Sequence, residues 1–95
     1  MNTYDEFEDT LSQAIQDSDF GKVQTLFLTS DPSIVSECAT FGIVGSARAG
    51  NVQIMDWLAS KYPDAMEKCG EDALDAAFEG EHTEAIVFLT ERGFE

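Results

Sequence analysis

The sequence predicts an all-α fold, a short solenoid of three stacked helix-turn-helix units, and three observations carry that prediction. Sliding the chain by 31 residues lays Pro32 on Pro63 and Cys38 on Cys69, and Val23 on Ile54, Ile43 on Leu74, Trp57 on Phe88, Leu58 on Leu89 and Lys61 on Arg92. A period between about 20 and 50 residues marks stacked units. Within the units the apolar residues recur at helical spacing, as in Ile54, Met55, Leu58 and again in Ala85, Ile86, Leu89. Apolar side chains make up 43% and aromatic ones 11% of 95 residues, enough for one small core and more than a disordered chain carries.

One domain is therefore expected, with units at about 3–32, 33–63 and 64–95. The first helix of unit one falls at roughly 4–17, opened by Thr3 and Glu6 at capping-box spacing, and the second at roughly 21–29. In units two and three the first helices are expected at roughly 40–49 and 71–80, the second at roughly 51–61 and 82–92. Asp31-Pro32 and Tyr62-Pro63 end the preceding helices, because proline cannot continue a helix and restricts the residue before it. The segments that follow each proline, reaching Cys38 and Cys69, are expected to hold one short turn of helix. Small residues Gly45, Ser46, Ala76 and Ala77 let successive helix pairs approach, and Ile54, Leu58, Ile86 and Leu89 fill the space between them.

The stretches "SARAGNVQIMDWL" and "ALDAAFEGEHTEAIVFL" resemble ankyrin repeats, with a small-residue first helix, a Gly-His type turn and an aliphatic second helix. The likeness covers about 85 residues and is closest to the divergent branch whose second helix ends in a Trp-Leu pair, here Trp57-Leu58 and Phe88-Leu89. The family's Thr-Pro-Leu-His start is absent, and its turn glycine is Gly50 in unit two, Glu81 in unit three and Asp19 in unit one. The resemblance implies a protein-binding scaffold, a concave binding side formed by the first helices and adjoining loops, and a local structural role for His82.

Nineteen acidic residues against five basic ones give a net charge of -14, a field that repels nucleic acid phosphates and anionic lipids and draws in a basic partner. Direct nucleic acid binding and membrane binding are excluded on that ground. The N-terminal stretch is acidic where a secretion signal needs a basic segment, and no apolar run approaches the roughly 18 residues of a membrane span. The expectation is a soluble intracellular protein of cytoplasm or nucleus. Cys38 and Cys69 occupy equivalent places in successive units, and packed helices lie about 8–10 Å apart, beyond disulfide reach, so free thiols are expected. One histidine without a matched acid, base or nucleophile gives no basis for catalysis, and no metal-ligand spacing is present. The chain is expected not to be an enzyme and to hold neither metal nor cofactor.

Surface recognition remains. The offset of 31 predicts a grid on the exposed side of the first helices, with rows Thr10, Phe41, Asp72, then Gln13, Val44, Asp75, then Asp17, Arg48, Glu79. Phe41, Val44, Arg48, Asp72, Asp75, Phe78 and Glu79 are the candidate partner-binding residues. The stripe of Asp72, Asp75 and Glu79 on the first helix of unit three is either a solvated face or a site for a basic partner. Arg48 is expected to bridge Asp17 and Glu79. Phe41 stands where the other units carry threonine and aspartate, and Phe78 stands where the preceding unit has Ala47; each aromatic either packs locally or anchors another molecule. The leading expectation is a protein–protein interaction module. The alternative is an acidic inhibitor that imitates nucleic acid and blocks a basic groove, and self-association through the C-terminal end is a further expectation because no polar capping helix closes it.

Overall fold

The computed structural model describes residues 3–94, with side chains described at 6–35 and 37–94. The described residues form six α-helices: α1 (Thr3–Gln16), α2 (Phe20–Thr29), α3 (Pro32–Ala49), α4 (Val52–Lys61), α5 (Pro63–Glu79) and α6 (Thr83–Glu91). The capping box at Thr3 and Glu6 rests on a Thr3 side chain outside the described ones.

The first helices of the second and third units are much longer than the sequence led us to expect. Instead of one turn, a gap and a separate helix, α3 and α5 run unbroken for 18 and 17 residues from their prolines. The physical reason is a continuous apolar stripe. Val35, Cys38, Ala39, Ile43 and Ala47 are all buried along α3, as are Met66, Cys69, Ala73, Leu74 and Ala77 along α5, at intervals that keep one face inward. Each proline sits in the first turn, where its missing amide would have no helical partner. Asp31 caps α3, accepting from the Ser33 amide at 2.9 Å and the Ser33 hydroxyl at 2.8 Å, and these bonds hold its carboxyl below the ordinary value of 3.8.

Glycine within α3 serves close packing. A side-chain carbon at Gly42 would lie 2.9 Å from Leu58 of α4 and 3.3 Å from Leu11 of α1, so the helices meet there over bare backbone. Ser46, the buried polar residue at the neighbouring turn, donates to the Gly42 carbonyl at 2.6 Å.

Each pair of helices closes through the same turn. The amides of Asp19, Asn51 and His82 donate to the carbonyls of Ala14, Ser46 and Ala77, five residues back, at 2.8, 2.8 and 3.0 Å. The residue before each donor is left-handed: Ser18 at φ 56°, Gly50 at φ 74° and Glu81 at φ 57°. This geometry corrects the register of the first unit. Ser18, and not Asp19, stands where Gly50 and Glu81 stand, so unit one is offset from unit two by 32 residues while units two and three keep 31. The extra residue lies at the joint. Ser30 closes α2 and Asp31 opens α3, whereas Tyr62 alone closes α4 and opens α5, its amide donating to Leu58 at 2.8 Å and its carbonyl accepting from Met66 at 3.1 Å.

The helices pack as α1 with α2, α3 with α4 and α5 with α6, and α3 lies between α1 and α5 as α4 lies between α2 and α6. Extents of 36 × 25 × 21 Å accord with three helix pairs side by side. Ile54, Leu58, Leu89, Ala77 and Ser46 are sealed at these contacts as expected. An aromatic group joins the first two pairs: Phe27 meets Phe7 at 5.3 Å, Trp57 at 6.0 Å and Tyr62 at 5.6 Å between ring centroids. Lys61 over Trp57 at 5.8 Å and Arg92 over Phe88 at 4.6 Å repeat one cation–π contact in successive pairs, at the positions the offset of 31 aligns.

Candidate binding face

The side of the molecule built by α1, α3 and α5 carries a cleft of about 410 Å³ between the C-terminal halves of α1 and α3. Its walls are Ile15 and Gln16 from α1 and Phe41, Val44, Gly45 and Arg48 from α3. Gly45 and Ile15 meet across the cleft, the terminal carbon of Ile15 lying at ordinary contact distance, 3.5 Å, from where a Gly45 side chain would begin. Phe41 is 38% exposed at the rim and Val44 is half-buried, and with Arg48 they are the three of the seven sequence-predicted residues that share one apolar concavity.

Asp72, Asp75 and Glu79 are exposed along α5, the helix that packs against α3. Arg48 links the two, its guanidinium 3.8 Å from the Glu79 carboxylate with both side chains mostly in solvent, a pair worth about 0–1 kcal/mol. The expected second contact with Asp17 is not made. With the first unit one residue out of register, Gln16 takes the place beside Arg48, and Asp17 accepts from Gln13 at 3.2 Å. The other rows shift likewise: Asp9 and Ser12, in place of Thr10 and Gln13, are the α1 counterparts of Phe41 and Val44. Sequence reasoning therefore missed Ser12, Ile15 and Gln16 as cleft residues; Asp19, capping α2 through the Lys22 amide as Asn51 caps α4 through Ile54, was the signal that fixes the correct register.

Phe78 stands apart from this group. At 56% exposed, it occupies the α5 position equivalent to Ala47, which is sealed in α3, and so lies on the side of α5 away from α3. His82 opens α6 without a side-chain capping bond, and its ring is wedged against Gly50 of the preceding turn and beside Gly80 of its own. That contact fits the structural role the resemblance implied.

Cys38 and Cys69 are free and buried. Burial pushes the Cys69 thiol from its ordinary 9.0 up to about 11, with the Asp72 charge adding to the shift, and raises Cys38 chiefly through burial, with Glu8 and Glu37 adding to it. Neither thiol has the lowered pKa of an activated nucleophile. Among the described residues, no group of three or more His, Cys, Asp or Glu side chains is placed to hold a metal ion, and no helix is long and apolar enough to cross a membrane. No family model, curated protein or solved structure matches this chain.

Proposed function

We propose that the three helix pairs form a short solenoid of the divergent ankyrin-like kind, and that the chain is a non-catalytic module that binds a partner protein through the face of α1, α3 and α5. The side-by-side order of the pairs and their common turn geometry support the first part. The unbroken α3 and α5 depart from the first helices expected at roughly 40–49 and 71–80, so the relation is one of stacking pattern.

The observation that carries the second part is the cleft itself. An apolar concavity of about 410 Å³ has Phe41 at its rim, and its Arg48 pairs with Glu79 at the end of a row of exposed carboxylates on α5. A partner that inserts an apolar side chain between Ile15 and Val44 and sets lysine or arginine against Asp72, Asp75 and Glu79 satisfies both features at once. The acidic nucleic acid mimic is the second reading, motivated by a net charge of -14.

Affinity capture with the wild-type chain and with a variant carrying alanine at Phe41, Asp72, Asp75 and Glu79 tests the site. The variant is expected to lose the captured protein, and undiminished capture would exclude this face. A modest salt dependence of the captured complex accords with the mixed apolar and charged contact, while a steep one favours the mimic.

A further inference from the structure

The surface of α5 and α6 that faces away from α3 and α4 has the character of a second docking site. Ile15, Ala47 and Phe78 stand at one place in the three helix pairs, each three residues before the left-handed turn residue. Ile15 is 3% exposed and packs beside Gly45 of the next pair, and Ala47 is 0% exposed, whereas Phe78 is 56% exposed. Gln24, Asp56 and Val87 are likewise equivalent, each five residues after the cap that opens its helix. Asp56 faces the next pair, where its carboxylate accepts from Arg92 at 3.4 Å, while Val87 is 46% exposed. Asp56 itself is exposed, so the contrast in burial lies at the Phe78 position: sealed in the first two pairs, it carries a large apolar side chain where no further pair covers it among the described residues, and Val87 adds a second exposed apolar side chain on α6.

Charge states what fits there. Glu71 and Asp75 precede Phe78 by seven and three residues on α5, and Glu84 and Glu91 flank Val87 by three and four on α6, so all four exposed carboxylates share the stripes of the two apolar residues. The basic residues of this pair are turned elsewhere: Lys68 lines a cleft with Thr40 and Tyr62, and Arg92 donates to Asp56. A second copy would set these carboxylates against their own kind, with no base between them.

We propose that this end face binds a basic amphipathic helix, its apolar stripe covering Phe78 and Val87 and its lysines or arginines meeting the surrounding carboxylates. Asp75 also belongs to the α5 carboxylates of the first proposed face, but none of the residues that line the α1–α3 cleft is part of this site, which does not depend on the cleft. A fluorescent helical peptide of leucine and lysine, with a leucine–glutamate peptide as control, is titrated into the full chain and followed by anisotropy. Saturable one-to-one binding of the lysine peptide alone is expected, weakened about tenfold in the F78S/V87S double variant and unchanged in F41S. Circular dichroism of each variant reports folding directly. Equal binding by the double variant would reduce the contact to diffuse charge attraction and overturn the proposal. So would loss of binding in F41S alone, which places the peptide in the cleft, or a dimer of the free chain in sedimentation that F78S/V87S dissolves.

Discussion

The imidazole of His82 lies so close over the α-carbon of Gly50 that a side chain on residue 50 would overlap the ring. Turn and cap of successive helix pairs are thereby interlocked, and Gly50 is held by two requirements, a φ of 74° and the approach of a neighbour. Gly50→Ala is expected to destabilise the fold by about 1–2 kcal/mol, measured as a lower urea midpoint. Part of that loss comes from the ring, so His82→Ala is expected to recover some of it, and the double variant will be less damaged than the sum of the two single ones. Simple additivity would mean that the contact contributes nothing.

Glu81 presents the converse. It adopts φ 57°, the conformation Gly50 adopts in the preceding turn, with a side chain that the left-handed region disfavours. Glu81→Gly is expected to raise stability by about 1 kcal/mol, seen as a higher urea midpoint at unchanged slope. A lowered midpoint would show that the glutamate side chain holds this turn by some other means.

Phe27 is the residue on which the first two pairs depend most. It is 4% exposed and touches the rings of Phe7, Trp57 and Tyr62, so Phe27→Ala removes contacts on three other helices or joints at once. The expected loss is about 3–5 kcal/mol, against a total of about 5–15 kcal/mol for an average domain. Thermal melting by circular dichroism should show a transition displaced downward by many degrees, accompanied by a red shift of Trp57 fluorescence.

The thiols set a pH limit. Cys69 ionises near 11 in the fold against an ordinary 9.0, so the unfolded chain releases the proton first as pH rises, and stability present below pH 9 declines between 9 and 11. Cys38 and Tyr62, both raised by burial, act in the same direction. Urea midpoints across this range should fall, and fall less in Cys69→Ala. At neutral pH iodoacetamide should label both cysteines slowly in the native protein and rapidly in urea.

The second helices, the proline corners and most of the core were legible because each is a local pattern. Trp57 and Phe88, Lys61 and Arg92, Leu58 and Leu89 keep their offset, and the structure gives them equivalent contacts. The length of α3 and α5 was not, since proline was read as opening a short turn, while the stripe from Val35 to Ala47 decides the matter by burial. The rows of the candidate face were displaced in unit one for a smaller reason. A single residue at Ser30–Asp31 moves every α1 and α2 equivalence by one, and composition gives no warning of it. Phe41, Val44 and Arg48 were found together because they lie on one helix; Ile15 was missed because its partnership with Gly45 crosses between helices.

The middle pair touches both of its neighbours, and the outer two make no comparable contact with each other. Whatever strain or relief a visitor imposes within the α1–α3 cleft, away from the carboxylates of α5, therefore reaches Phe78 and Val87 by the road through α3 and α4. Stiffening or loosening that road, for example at Gly42, tunes how far the two ends of the protein sense one another without altering a residue at either.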